Sequence, residues 1–170
     1  MALERYFHGL WSAGWLDLIA AVTAQYGLYV CAALLVVAWL RRPSGVLLPF
    51  AIAAIFAMSL DTIAGLAYHD QRPFVTIGVA PLVAHGADNG FPSEHSAAAA
   101  FIAVVSLFVD APTGAAACFM AVALGIARLY CLLHSPVDVA AGWTIGALPA
   151  LVAGLARRRA TPAIRRPSRS

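Results

Sequence analysis

Apolar residues in this chain are grouped into long runs that are separated by short polar segments. Residues 18–40 contain no charge, and residues 46–68 are interrupted only by Asp61. At 1.5 Å per residue, the first run forms a helix about 35 Å long, which exceeds the hydrocarbon core of a bilayer. The pattern therefore predicts transmembrane helices.

Three further apolar runs follow one long polar segment, which covers residues 69–95. Residues 96–109 form the shortest run, which reaches a spanning length only if its helix begins near Ser93. Residues 115–133 and 136–156 complete a set of about five predicted spans. The predicted fold class is therefore an all-α integral membrane helical bundle.

The two ends of the chain differ from these spans. Residues 1–15 mix aromatic and charged positions, which predicts an N-terminal amphipathic helix lying in the membrane interface. We expect a single membrane-embedded domain over residues 1–156, followed by a basic cytoplasmic tail over residues 157–170.

The composition agrees with a membrane protein. Hydrophobic residues make up 62% of the chain and charged residues 11%, and the mean hydropathy is +0.82. Ordinary soluble domains carry about 25% charged residues, which cover their surface. The composition therefore excludes a disordered chain, a nucleic-acid-binding domain and an ordinary cytosolic enzyme.

The basic residues predict the orientation of the bundle. All eleven are Arg, and eight of them follow either the first or the fifth apolar run. With five spans these two regions lie on one side, which the positive-inside rule makes cytoplasmic. The long polar segment and the loop before the fifth run then face outward together.

Residue types suited to phosphate chemistry are concentrated in those two outward regions. His134 and Asp138 are four residues apart, a spacing at which a carboxylate can hold one ring N–H of the imidazole. The other ring nitrogen is then free to act as a nucleophile. Arg72 and Arg128 supply guanidinium groups that match phosphate oxygens.

A second histidine lies at a predicted helix start. Ser93, Glu94 and His95 precede an alanine-rich run, and the N–H groups of a helix N-terminus favour an anion. The residues together predict a phosphoryl-transfer site. The sequence contains no C-x-x-C motif or His/Cys cluster, so we expect no metal and no other cofactor.

In their order along the chain these segments resemble the three signature motifs of the type-2 phosphatidic acid phosphatase family. The motifs are Arg-Pro at Arg72 and Pro73, Pro-Ser-x-His ending at His95, and Arg-x5-His-x3-Asp from Arg128 to Asp138. Within the family the chain is most similar to the bacitracin-resistance branch of undecaprenyl diphosphate phosphatases. The likeness covers roughly residues 5–156.

The resemblance implies a role for each residue of the motifs. His134 would attack phosphorus and form a phosphohistidine, Asp138 would orient His134, and His95 would protonate the leaving oxygen and later activate water. The substrate-binding residues would be Arg72, Arg128, Ser93, Pro73 and Glu94.

The chain departs from the family pattern at three points near the expected phosphate. Ala127 stands where a Ser often precedes the Arg of the third motif. Gly65 stands where the broad family has a Lys, and Glu94 stands where Gly is common. A carboxylate beside a diphosphate is repulsive, so Glu94 either faces away from the substrate or is protonated.

The resulting expectation is a metal-independent phosphatase of a bacterial inner membrane. It would hydrolyse undecaprenyl diphosphate to undecaprenyl phosphate and phosphate at the periplasmic or exterior face, which recycles the carrier lipid of the cell wall. One alternative is a broader phosphatase acting on phosphatidic acid or phosphatidylglycerol phosphate. An alternative of another class is a non-catalytic transporter or lipid-binding scaffold.

Overall fold

The computed structural model describes residues 2–11, 14–42 and 47–160. These residues form seven helices and no β-strand, which confirms the predicted all-α class. The helices are α1 (Ala2–Gly9), α2 (Trp15–Arg41), α3 (Leu47–Ala67), α4 (Pro73–Ile77), α5 (Glu94–Val109), α6 (Ala111–Tyr130) and α7 (Pro136–Ala160).

Four of these helices, namely α2, α3, α6 and α7, are long and apolar enough to cross a membrane. The chain is therefore a multi-pass membrane protein. The remaining predicted span, residues 96–109, corresponds to α5, which has only 16 residues and is about 24 Å long. Helix α5 packs against α2, α6 and α7, so much of its surface contacts protein instead of lipid.

Glycine residues allow α7 to approach α5 closely. A Cβ atom at Gly146 would lie 1.9 Å from the carbonyl oxygen of Ala97, so only glycine fits at this crossing. The contact continues toward the helix starts, where the backbone N–H of Ser93 donates to the carbonyl of Asp138 at 3.1 Å. Two of the three motif segments are brought together in this way.

The N-terminal segment is attached to the end of α6 that carries Arg128. The Trp11 indole N–H donates to the carbonyl of Tyr130 at 3.0 Å, and the Tyr130 hydroxyl donates to Asp17 at 2.6 Å. The N-terminal helix ends at Gly9 instead of continuing to Trp15, which is already the first residue of α2. These bonds hold the chain at Tyr130, four residues before His134 of the third motif.

The opposite end of the bundle carries an acidic residue between two arginines. Asp110 precedes α6, accepts from the backbone N–H of Thr113 and pairs with Arg42 at 3.2 Å and Arg41 at 3.7 Å. The hydrogen bonds from Thr113 hold the pKa of Asp110 below its usual range. This ion pair joins the end of α2 to the start of α6.

The predicted boundary between domain and tail falls inside α7. The helix continues to Ala160, so Arg157, Arg158 and Arg159 belong to its last turn, and Arg158 lies over the Phe108 ring at 4.7 Å. The predicted loop at residues 43–45 and the tail after residue 160 lie outside the described residues.

The close contact between α5 and α7 generates a stability prediction. Gly146→Ala should lower the free energy of unfolding by a net of roughly 1–2 kcal/mol, because overpacking against the Ala97 backbone costs about 2–3 kcal/mol and helix propensity returns about 1 kcal/mol. Thermal unfolding in detergent measures this effect. Ala140→Leu adds bulk on the exposed side of the same helix and should leave the midpoint almost unchanged. A Gly146→Ala midpoint equal to or above that of the wild type would contradict the packing.

Candidate active site

A polar cavity of about 400 Å³ lies where the three motif segments meet. Five of the eight predicted site residues line this cavity, and a sixth, Asp138, lies against His134. The cavity is lined by Asp61, Thr62, Gly65, Leu66, Arg72, His85, Asp88, Asn89, Phe91, Pro92, Glu94, His95, Arg128 and His134.

The His134 ring has partners on both nitrogens. Nδ1 lies 2.8 Å from the carbonyl oxygen of Gly90, and Nε2 lies 3.0 Å from a guanidinium nitrogen of Arg128 and 3.3 Å from one of Arg72. A carbonyl only accepts and a guanidinium only donates, so Nδ1 carries the hydrogen and Nε2 has the lone pair. The surroundings therefore fix a neutral imidazole whose Nε2 is the available nucleophile.

Burial keeps that imidazole neutral. The His134 ring is almost fully buried, and burial lowers its pKa from the ordinary value of 6.5. The charges of Arg128 and Arg72 lower the pKa further, while Asp138 and the Gly90 carbonyl act in the opposite direction. A neutral ring is the form that nucleophilic attack requires.

Asp138 has a different position from the one that the sequence spacing suggested. Its nearer carboxylate oxygen is 3.7 Å from Nδ1 of His134, and it accepts from the backbone N–H of Ser135 at 2.7 Å. The reason is that α7 begins at Pro136, so His134 precedes the helix and the spacing of one helical turn does not apply. The carbonyl of Gly90, which the sequence did not predict, makes the hydrogen bond.

Arg72 is held by three acceptors. Its Nε donates to the carboxylate of Asp88 at 2.8 Å, and its terminal nitrogens donate to the carbonyls of Leu133 at 2.9 Å and Asn89 at 3.2 Å. Only 5% of Arg72 is exposed, and a buried charge is tolerated when it is paired in this way. Leu132 supports the arrangement because its left-handed backbone (φ 58°) makes the turn before Leu133.

Arg128 enters the cavity from the end of α6. One terminal nitrogen lies 3.2 Å from Nε2 of His85 as well as 3.0 Å from His134, and the other donates to the carbonyl of Ala24 at 3.4 Å. Like Arg72, it is almost fully buried. Neither His85 nor Asp88 was among the predicted site residues, although both lie in the polar segment that the sequence singled out.

Some residues of the second motif line the cavity and others do not. Glu94 and His95 line the cavity, so Glu94 does not face away from it. Ser93 is fully buried and its hydroxyl pairs with that of Ser96 at 2.9 Å, so its side chain is not part of the cavity wall. Pro73 is the buried first residue of α4 and also lies outside the wall.

An apolar groove of about 480 Å³ adjoins the polar cavity between α3 and α5. Asp61, Thr62 and Glu94 line both spaces, and Phe101 and Ile102 lie farther along the groove. A ligand with a phosphate end and a hydrocarbon end could therefore occupy both at once.

The sequence profile of the PAP2 superfamily matches residues 24–161. The chain belongs to this superfamily. The match confirms the resemblance that the motifs indicated, and it includes every predicted site residue.

Two curated relatives are similar over most of this chain. Bacitracin transport permease protein BcrC of Bacillus licheniformis is 36% identical over 132 residues, which are 75% of this chain and 65% of that protein. Undecaprenyl-diphosphatase BcrC of Bacillus subtilis (strain 168) is 30% identical over 127 residues, 73% of this chain and 66% of that protein. The matched region thus spans slightly less than two thirds of each relative.

One solved structure has the same fold. It is the crystal structure of the first transmembrane PAP2 type phosphatidylglycerolphosphate phosphatase from Bacillus subtilis. The TM-score is 0.67 at 21% identity, and the likeness covers 95% of this chain and 87% of that one. At this identity the comparison supports the fold of the bundle and leaves the substrate open.

The partners of His134 predict its protonation state. Nitrogen-15 NMR of the histidine rings should show the Nδ1–H tautomer for His134 and a titration midpoint below 6.5. His69 is exposed outside the cavity and serves as the reference ring. An Nε2–H tautomer, or a His134 midpoint above 6.5, would show that the assigned partners are wrong.

Proposed function

We propose that the chain is a membrane lipid phosphatase that hydrolyses undecaprenyl diphosphate to undecaprenyl phosphate and phosphate. The observation that carries the proposal is the lone pair of His134 Nε2, which meets two guanidinium groups in a cavity that continues into an apolar groove. The choice of lipid is supported by the name of the Bacillus subtilis relative, an undecaprenyl-diphosphatase.

In the first step of the mechanism Arg72 and Arg128 exchange one hydrogen-bond acceptor, Nε2 of His134, for the phosphate oxygens of the substrate. Arg72 and Arg128 direct donors at Nε2 of His134 when no phosphate is present. Anionic phosphate oxygens are stronger acceptors than a neutral imidazole, so a substrate takes these donors and frees the nitrogen. The same two cations then stabilise the charge that spreads over the phosphate oxygens in the transition state.

The second step is the transfer of the phosphoryl group. Nε2 of His134 attacks the terminal phosphorus and forms a phosphohistidine, while the bond to the bridging oxygen breaks. His95 donates a proton to the departing oxygen and later removes one from the water that hydrolyses the intermediate. The Gly90 carbonyl and Asp138 stabilise the hydrogen and the positive charge on the ring.

The groove between α3 and α5 would hold the start of the lipid chain. A diphosphate whose terminal phosphate contacts His134 would place its second phosphate near Asp61, Thr62 and Glu94, with the hydrocarbon beyond them. We also propose that this end of the bundle faces outward from a bacterial inner membrane, since the arginine-rich ends of α2 and α7 favour the cytoplasmic side.

A second candidate is a broader phosphatase for lipid monoesters such as phosphatidic acid. The observation that favours it is the pair of carboxylates at the junction of cavity and groove, Asp61 and Glu94, because ionised carboxylates repel a second phosphate. A transporter or lipid-binding scaffold would not require an imidazole held between a carbonyl and two guanidinium groups, so the arrangement around His134 favours a phosphatase.

Phosphate release from purified protein across a panel of lipid phosphates tests these candidates. Undecaprenyl diphosphate should be hydrolysed with a kcat/KM at least tenfold above that of phosphatidic acid, in the presence of a chelator. His134→Ala should abolish release because it removes the nucleophile, whereas His69→Ala should retain it. A tenfold preference for the monoester would favour the second candidate, and activity in His134→Ala would refute the proposed nucleophile.

A further inference from the structure

His85 shares a guanidinium donor with the nucleophile. Its Nε2 lies 3.2 Å from the same Arg128 nitrogen that is 3.0 Å from His134, and the two rings are nearly perpendicular with centroids 6.5 Å apart. The ring lines the polar cavity, and about a fifth of it is exposed. His85 is therefore next to the space that a phosphate bound to Arg128 would fill.

Without a bound phosphate, His85 is an acceptor. Arg128 can only donate, so the Nε2 atom that faces it carries a lone pair and the hydrogen is on Nδ1. Burial lowers the pKa of His85, and the charges of Arg72 and Arg128 lower it further. The ring is consequently neutral in the empty site.

We propose that His85, whose Nε2 accepts from Arg128 in this structure, is a substrate-binding residue that takes up a proton from a hydronium ion and donates it in a hydrogen bond to a bound phosphate oxygen. The inference rests on the proposed function only in requiring that the cavity binds a phosphate group. In this step an N–H bond forms at Nε2 of His85, one O–H bond of a hydronium ion breaks, and a water molecule is released.

The need for this proton follows from the exchange of partners. A phosphate that takes the donors of Arg128 leaves Nε2 of His85 with a lone pair facing an anionic oxygen. Two acceptors repel each other, whereas a protonated ring makes a charge-assisted hydrogen bond. The phosphate also neutralises the two cations that disfavour protonation of His85, so binding and proton uptake assist each other.

The groups around the ring favour the charged form once phosphate is bound. Nδ1 of His85 lies 4.0 Å from the carboxylate of Asp88, which stabilises the positive charge of the protonated ring. His95 and Arg128 join His85 in lining a second cavity of about 290 Å³ beside α2. The other titratable or charged groups facing His85 are Arg72 and His134.

NMR titration of the histidine rings with inorganic phosphate tests the proposal without requiring lipid hydrolysis. In the wild-type protein the midpoint of His85 should lie below 6.5 and rise by at least one pH unit in saturating phosphate. The loss of one signal in His85→Gln assigns the ring. A His85 midpoint that phosphate leaves unchanged would overturn the proposal.

A kinetic comparison supplies an independent test. His85→Phe should lower kcat/KM for the lipid phosphate at least tenfold, because it removes a hydrogen bond to a charged group. His85→Gln retains a neutral donor and should recover part of that loss, with the alkaline side of its pH profile shifted from that of the wild type. Equal activity of His85→Phe and wild type would overturn the proposal, whereas a wild type that hydrolyses no lipid phosphate would overturn the proposed function alone.

Discussion

The organisation of the site depends on a neutral imidazole held between one carbonyl and two buried guanidinium groups. The Gly90 carbonyl takes the hydrogen of His134, and Arg72 and Arg128 direct donors at its lone pair. Burying two cations side by side is costly unless each has acceptors. Segment 85–90 supplies many of them, which explains why this polar loop folds over the ends of α5 and α6.

In this arrangement the two guanidinium groups cover the lone pair of the proposed nucleophile. Arg72 and Arg128, which would bind the substrate's phosphate, direct their N–H donors at the lone pair of His134. Burial and the charges of these arginines lower the pKa of the ring and keep it unprotonated. In the proposed mechanism a phosphate would satisfy the cations and expose the nitrogen, which would couple reactivity to substrate binding. The close packing of α7 against α5 holds His134 in position relative to the second motif, because it fixes the start of α7, the helix that follows His134.

The sequence predicted the helices and the motif residues because both have strong local signals. Apolar runs of membrane-spanning length define most of the spans, and Arg72, His95, Arg128 and His134 all line the cavity. The partners of these residues were not predictable, because they depend on how a loop without regular periodicity folds. The Gly90 carbonyl and His85 belong to that loop. The position of Asp138 differs from the predicted one because α7, the helix that carries it, begins after His134.

The most direct test of this mechanism is the site of phosphorylation during turnover. Rapid quenching of the protein with a lipid diphosphate labelled in its terminal phosphate, followed by alkaline digestion and mass spectrometry, identifies the residue and the ring nitrogen. The tautomer fixed by Gly90 requires label on Nε2 of His134. Label on Nδ1 of that ring, or on any residue other than His134, would contradict the central claim.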